Sequence, residues 1–274
     1  MTLRCNYEFE LPKDLLDEIK KQIEKFGLKV LVTGDPNQLP PVNEPPCYLT
    51  GNNVYRLTEC MRQSNARDIS YISNCVGCGI EPMNGYYGNS LVINQKDLTD
   101  NMLMAADVII CSTNKTRDKY NKRIRDILGY SNSKLPRLGE KVICKKNDWL
   151  QSIKFTNGTD ISLVNGLTGR VMNEPDVSTF ENNLFSMNFA PDLCQNVTFF
   201  NLRCNYNHMI SDYQVRNSIR NNAYEIGDMF EYGYAITTHS SQGGQFHKVI
   251  YIEERMRPDI QCKLNLVGAS RADE

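Results

Sequence analysis

The segment GDPNQLPPV, residues 34–42, combines side chains that could contact a phosphate or a metal-bound water. Asp35 and Gln38 come at or just after the end of LKVLVTGD (28–35), a short apolar run typical of a buried strand. A carboxylate and an amide at the end of such a strand can hold a water, a metal ion or a phosphate oxygen. Pro40-Pro41 stiffens the chain that follows. The alternative is an ordinary turn, but this nine-residue string favours a loop that senses a bound ligand.

A second polar segment, YAITTHSSQGGQF (234–246), follows another strand-like run. Hydroxyls, an imidazole and an amide stand at the strand end, and Gly243-Gly244 lets the backbone approach a ligand closely. This set of side chains suits phosphate contact. A single histidine is more often a structural hydrogen-bonding residue, but the neighbours of His239 favour a functional role.

Two arginines lie in short segments that mix apolar and polar residues. Arg62 lies in RLTECMRQ (56–63) and Arg271 in LVGASRADE (266–274). A single arginine is usually a solvated surface charge. An arginine can also reach a transferring phosphoryl group and stabilise its charge. Either residue is therefore a candidate for phosphate chemistry.

The surrounding pattern predicts an α/β fold. KDLLDEIKKQIEKF (13–26) has the apolar spacing of an amphipathic helix and precedes the strand at 28–35. ADVIICSTN (106–114) repeats the step from apolar strand to polar loop, and the charged segment 115–129 predicts a helix. From about 138 to 215, short β-type runs with Asn-Gly turns predict a β-rich insertion.

Composition limits the function classes. The 274 residues carry 31 basic and 32 acidic side chains, which excludes a broadly basic binder but not a local basic groove. No apolar run approaches the roughly 18 residues of a membrane span, and the N-terminus lacks the apolar stretch of a signal peptide. The sequence therefore predicts a cytoplasmic protein without a membrane partner.

The ten cysteines predict scattered reduced thiols and no metal site. Cys75 and Cys78 form the one CxxC pair, and a zinc site needs a second ligand pair at matching spacing. A metal or redox role for that pair is the alternative.

Taken in order, these segments resemble the motifs of superfamily 1 helicases of the 5′→3′ branch, which contains RecD, Dda-type and relaxase-helicase proteins. The resemblance covers nearly the whole chain and includes a UvrD-like C-terminal part. GDPNQLPPV resembles motif III and LTECMRQ the arginine-bearing motif IV segment. TTHSSQGGQF resembles motif V and GASRA resembles motif VI. VNGLTGRV (164–171) resembles the strand pair of an SH3-like insertion, and 106–129 the opening of the second RecA-like domain.

The resemblance implies RecA-like P-loop helicase domains, the first one partial, with an inserted SH3-like β-rich subdomain. Residues 1–90 would form the C-terminal part of the first RecA-like domain. Residues 91–138 and 228–274 would form the second, and residues 139–227 the insertion.

The resemblance also implies residue roles. The catalytic residues would be Asp35, Gln38, Arg62 and Arg271, which sense or stabilise the nucleotide γ-phosphate. The nucleotide would be contacted by Gln38, Arg62, Gln242, Gly243 and Arg271. Single-stranded DNA would be contacted by Thr238, His239 and Asn165.

The chain departs from the helicase pattern at several positions. These helicases usually carry lysine where Ser240 stands and an acidic residue near Gln245. Motif VI usually has an aromatic residue and a threonine at Leu266 and Ser270.

The sequence contains no G-x-x-x-x-G-K-[ST] and no strand ending in Asp-Glu before GDPNQLPPV. The resemblance places Met1 just after the Walker B acids, so ATP and Mg²⁺ would have their main ligands outside this chain. The leading hypothesis is the C-terminal portion of an ATP-dependent 5′→3′ DNA helicase that moves on single-stranded DNA. Such a protein would be monomeric and could contact a missing N-terminal half or replication and repair proteins. The alternative is a non-catalytic split or degenerate helicase remnant that binds single-stranded nucleic acid or a partner subunit.

Overall fold

The computed structural model describes residues 2–5, 13–27, 29–32, 39, 55, 67–155, 160–176, 183–194, 196–222 and 226–272. The chain divides into two compact units. The first unit comprises Met1–Asn94, Gln242–His247 and Glu253–Glu274, and the second comprises Gln95–Ser241 and Lys248–Ile252. The domain boundaries given above at residues 90, 138 and 227 stay predictions.

The helices of the described residues, in chain order, are α1 (Lys13–Phe26), α2 (Arg67–Gly77), α3 (Asp100–Ala105), α4 (Asn114–Ile127), α5 (Tyr206–Ile210), α6 (Tyr213–Asn221) and α7 (Pro258–Ala269). The strands are β1 (Thr2–Cys5), β2 (Lys29–Val32), β3 (Gly85–Tyr87), β4 (Ser90–Val92), β5 (Val108–Cys111), β6 (Lys141–Cys144), β7 (Asp148–Lys154), β8 (Asp160–Leu163), β9 (Thr168–Val171), β10 (Leu184–Pro191), β11 (Phe199–Asn205), β12 (Phe230–Tyr232), β13 (Ala235–Thr237) and β14 (Val249–Ile252).

The first unit contains the α/β element that the sequence predicts. Helix α1 ends at Gly27, whose φ of +61° suits the left-handed turn after a helix. Strand β2 follows and pairs with β1 in parallel, with Leu3 opposite Val30. The prediction of a helix at 13–26 and a strand within 28–35 is confirmed.

Helices α2 and α7 pack against each other in the same unit. Gly77 makes this close approach possible, because a Cβ atom there would lie 3.1 Å from Cβ of Leu266. The β3–β4 hairpin is tied to the start of α2 by Asp68. Its Oδ2 accepts hydrogen bonds from the backbone nitrogens of Asn89 and Ser90, at 3.0 and 2.9 Å.

The second unit contains a three-stranded parallel sheet in the order β13-β5-β14. All four residues of β5 are buried, as expected for the central strand of a parallel sheet. Helix α4 is fixed to this sheet by Asn121, whose amide exchanges two hydrogen bonds of 2.9 Å with the backbone of Ala235. These strands place the end of β13 beside the end of β5.

An antiparallel sheet in the order β11-β10-β9-β6-β12 belongs to the same unit. Its core includes Phe185, Phe189 and Phe230, each at most 1% exposed. Six strands between 141 and 205 confirm the predicted β-rich segment, and the short helices α5 and α6 follow it. The predicted α/β fold class with a β-rich part is confirmed.

The remaining hairpin of the second unit, β7–β8, is irregular. Asp148 pairs with Leu163 and Ser152 with Ser162, so residues 149–151 form a bulge. Trp149 and Leu150 are exposed on that bulge, at 68% and 95%.

Candidate functional site

The polar turn at the end of β13 is stabilised by hydrogen bonds between its own residues. Thr237 ends the strand, and its Oγ1 accepts a 3.3 Å hydrogen bond from the backbone nitrogen of Ser240. The Ser241 nitrogen donates to the Thr237 carbonyl at 3.0 Å, and the Ser241 hydroxyl donates to the Thr238 carbonyl at 2.8 Å. Residues 237–241 therefore form a self-capped turn at the carboxyl end of a parallel strand, where α/β sheets place their ligands.

Thr238 and His239, both predicted to contact DNA, differ in their surroundings. Thr238 is fully buried, and its hydroxyl donates to the carbonyl of Cys111 at 3.2 Å. That bond fixes the turn to the end of β5. His239 is half-buried, and burial lowers the pKa of its imidazole. A neutral imidazole donates a hydrogen bond from one ring nitrogen and accepts one at the other.

The Asn165-Gly166 turn adjoins this segment within the second unit. Gly166 has a φ of +93°, and a Cβ atom there would lie 3.9 Å from the Ser240 carbonyl oxygen. The backbone nitrogen of Asn165 donates to Oδ1 of Asn147 at 2.7 Å, and the Asn165 side chain is exposed. The structure thus brings the Asn165-Gly166 turn beside Ser240 of the 237–241 turn.

Lys145, which sequence reasoning did not single out, completes that surface. It follows β6, and its Nζ donates a 3.2 Å hydrogen bond to Oγ of Ser240. A lysine pair immediately after the apolar run KVIC is the signal that could have drawn attention to it.

A buried ionic cluster lies in the same unit and was also missed. Arg117 contacts Glu231 at 2.7 Å and Asp118 at 2.9 Å, while Arg216 contacts Asp118 at 3.1 Å and Glu231 at 3.6 Å. Burial raises the pKa of Glu231, but Arg117, Lys145 and Arg216 outweigh burial and hold it below its ordinary value. A lone glutamate inside the apolar run MFEYGY was the available sequence signal for a buried ion pair.

The second half of the 234–246 segment belongs to the first unit, where it contacts the segment that carries Arg271. The backbone nitrogen of Phe246 donates to the Arg271 carbonyl at 3.0 Å, and Nη1 of Arg271 donates to the Gly244 carbonyl at 3.4 Å. Arg271 is 3% exposed, and its Nε donates to the Val267 carbonyl at 3.0 Å. This arginine fixes two segments of backbone to each other.

Gln242 and Gly243 begin this part of the chain. Both polar atoms of the Gln242 amide are buried and have no partner among the described residues. Gly243 has a φ of +78° and open space at the position of a Cβ atom. A buried amide without a partner is costly unless a ligand completes it, which suits the predicted nucleotide contact.

The segment that resembles motif III contributes one described residue to the same unit. Leu39 is 1% exposed and packs with Leu264 and Val267 of α7. Asp35, Gln38 and Arg62, three of the predicted catalytic residues, lie outside the described residues. The predicted roles of all these residues stay predictions.

The described residues contain no group of three or more histidine, cysteine, aspartate or glutamate side chains that could hold a metal ion. Cys75 and Cys78 are free thiols. No helix in the described ranges is long and apolar enough to cross a membrane.

Comparison with known proteins rests on structure. The sequence matches no protein-family model and no curated protein. Bacteroides Pif1 helicase in complex with ADP-AlF3 and single-stranded DNA is 18% identical, with 99% of this chain and 69% of that chain covered and a TM-score of 0.53. Bacteroides Pif1 bound to single-stranded DNA is 18% identical, with 96% and 66% covered and a TM-score of 0.56. Candida albicans Pif1 helicase is 16% identical, with 97% and 69% covered and a TM-score of 0.51.

The chain therefore spans about two thirds of the length of these helicases. The expected RecA-like helicase fold is confirmed. Over nearly its whole length, this chain has a fold similar to that of the solved Pif1 helicases.

Proposed function

We propose that this chain is the C-terminal portion of an ATP-dependent 5′→3′ DNA helicase and that its own residues bind single-stranded DNA. The observation that carries the proposal is the polar surface at the end of β13. Within the second unit, the Asn165-Gly166 turn adjoins Ser240, which follows His239 and accepts a hydrogen bond from Lys145. Two solved Bacteroides Pif1 structures of similar fold contain single-stranded DNA.

The chemistry of that surface suits a nucleic-acid backbone. Hydroxyl, amide and ammonium donors can satisfy phosphate oxygens without reading the base sequence. The Thr238 hydroxyl donates to the Cys111 carbonyl, and this hydrogen bond positions the turn. His239 and Asn165 are the residues that would contact the strand.

Residues of the first unit would contact the nucleotide. The unpartnered amide of Gln242 could donate to or accept from a phosphate or ribose group, and Gly243 leaves room for close approach. Arg271 is tied to Gly244 and thereby to the same segment. Asp35, Gln38 and Arg62 would complete the contacts with the γ-phosphate. One Pif1 structure of this fold contains ADP-AlF3, which supports ATP as the nucleotide.

In the intact protein, ATP would supply the free energy for stepping along the strand. The residues of this chain would bind the DNA, position the turn beside it and contact the nucleotide through Gln242 and Arg271.

A non-catalytic role in binding single-stranded nucleic acid is the second candidate. The observation that favours it is the absence of G-x-x-x-x-G-K-[ST] from the 274-residue sequence, since the backbone amides and lysine of that loop hold the nucleotide phosphates. Both candidates require DNA binding, and ATP hydrolysis separates them.

Fluorescence anisotropy with a labelled oligothymidylate tests DNA binding directly. The purified chain should bind the oligonucleotide at low salt, and log K should fall linearly with log salt, by about 0.7 for each phosphate contacted. His239→Ala should weaken binding, while His247→Ala, a matched change at an exposed position outside this surface, should not. Failure of the unmodified chain to bind at low salt would refute the proposal.

A further inference from the structure

Lys145 is a half-buried cation of the second unit that forms no ion pair with the described residues. The side chain is half-buried between the end of β6 and the turn after β13. Its backbone is fixed, because its nitrogen donates to the Met229 carbonyl at 2.7 Å. Among the described residues, Ser240 Oγ is the one acceptor within hydrogen-bond distance of Nζ.

The nearby carboxylates are already paired with arginines. Glu231 and Asp118 contact Arg117 and Arg216 in four pairs, at 2.7 to 3.6 Å. In the part of the chain that the structure describes, no carboxylate lies within 4.0 Å of Lys145 Nζ. Glu231 attracts Lys145 while Arg117 and Arg220 repel it, so the cations around this cluster outnumber the two carboxylates.

The Ser240 hydroxyl lies beside the Lys145 ammonium, so the two groups can donate hydrogen bonds to one ligand. Its Oγ accepts one hydrogen bond from Lys145 Nζ at 3.2 Å and another from Thr237 Oγ1 at 3.0 Å. A hydroxyl with two donors directed at its oxygen has its own proton left to donate. The hydroxyl of Ser240 and two N–H groups of the ammonium thus have no acceptor among the described residues, and both can donate to the same anionic oxygen.

We infer that Lys145 and Ser240 together hold one backbone phosphate of the bound single strand, with Lys145 as its charged donor. The inference rests on the proposed function, since it names a contact within the same DNA-binding surface. It adds the residue that follows β6 to a site otherwise made of the 165–166 and 237–241 turns.

The surroundings of Lys145 make an anionic partner favourable. Burial lowers the pKa of Lys145, Glu231 raises it, and Arg117 and Arg220 lower it further. The protonated lysine is therefore less stable in the folded chain than in water at neutral pH. A phosphate would remove that penalty, because it brings the missing negative charge to within hydrogen-bond distance.

The test compares Lys145→Gln with Lys146→Gln by oligothymidylate anisotropy over a range of salt concentrations. Lys146 is a matched control, because it is the next residue, carries the same charge and is exposed. We expect K145Q to weaken binding at low salt by about 10-fold, the size of a lost charged hydrogen bond. We expect the slope of log K against log salt to fall by about 0.7, which corresponds to one phosphate contact on a single strand.

Thermal unfolding separates a lost contact from a damaged fold. The melting temperature of K145Q should equal or exceed that of the unmodified chain, because the substitution removes an uncompensated charge. Lys145→Arg retains the charge, so its salt slope should match that of the unmodified chain. An unchanged slope in K145Q, an equal loss of affinity in K145Q and K146Q, or a lowered slope in K145R would each overturn the inference.

If the proposed function is wrong, the binding experiment gives a different result. If the unmodified chain binds no oligothymidylate, the DNA-binding proposal and the Lys145 inference fail together. If the unmodified chain binds and K145Q binds equally well, only the Lys145 inference fails.

Discussion

Nη1 of Arg271 donates a hydrogen bond to the carbonyl oxygen of Gly244, 27 residues earlier, at 3.4 Å. The two residues belong to the segments that resemble motifs VI and V, and this bond joins those segments within the first unit. Because Arg271 is also bonded to the Val267 carbonyl, the same guanidinium orders the end of α7.

We expect Arg271→Ala to destabilise the chain even without nucleotide. The substitution removes the hydrogen bonds that the buried guanidinium donates to the Val267 and Gly244 carbonyls, which costs about 1–3 kcal/mol. Urea unfolding measures the effect. Arg255→Ala is the control, because Arg255 is exposed in the same unit, and its change should stay within about 0.5 kcal/mol. Equal stability of R271A and the unmodified chain would contradict the structural part assigned to Arg271.

We expect the purified 274-residue chain to show no DNA-stimulated ATP hydrolysis. Arginines can stabilise charge only on a nucleotide that other groups hold, and the phosphate-cradling loop has no counterpart in this sequence. A coupled ATPase assay with and without oligothymidylate provides the measurement. Hydrolysis by the chain that Arg271→Ala abolishes would reveal a nucleotide site supplied by these residues alone.

Stability should fall as the pH drops from about 6.5 towards 4, partly because of His208. Burial lowers the pKa of His208 from 6.5 to about 4, so the unfolded chain binds more protons than the folded chain in this range. The stability that the neutral ring provides is complete above pH 6.5, is lost through this window and is worth about 3 kcal/mol, since one pKa unit corresponds to about 1.4 kcal/mol.

Melting temperatures of His208→Gln across the same pH range check this assignment. The variant should lose less stability than the unmodified chain between pH 6.5 and 4. His247→Gln, at an exposed histidine, should keep the original pH dependence. Parallel curves for H208Q and the unmodified chain would show that His208 is not responsible.

We expect Gly169→Ala to disrupt the five-stranded sheet. A Cβ atom at this position in β9 would overlap the Ala190 carbonyl and lie 2.6 Å from Cε2 of Phe189, a buried core residue. Forcing extra volume into a packed core costs about 1–3 kcal/mol or more. Gly129→Ala is the control, because Gly129 has open space and only its φ of +77° opposes a side chain. Denaturant unfolding should show the larger loss for G169A.

Local pattern alone predicted much of the fold. The apolar spacing of 13–26 predicts α1, and the runs 28–35 and 106–114 contain β2 and β5, because buried helix faces and parallel strands need those apolar patterns. The Asn-Gly turn at 165–166 likewise lies between β8 and β9. Motif order along the chain pointed to the helicase fold, which the solved Pif1 structures match.

Contacts between distant residues came only from the tertiary structure. Thr238 looked like a ligand contact in the sequence, but its hydroxyl bonds to Cys111 because β13 lies beside β5 in the sheet. Lys145 and Ser240 are 95 residues apart, and no local pattern records that two strand ends bring an ammonium to a hydroxyl. Residue type and spacing determine which elements form, whereas the packing of those elements decides which polar groups are paired with each other and which remain available to a ligand.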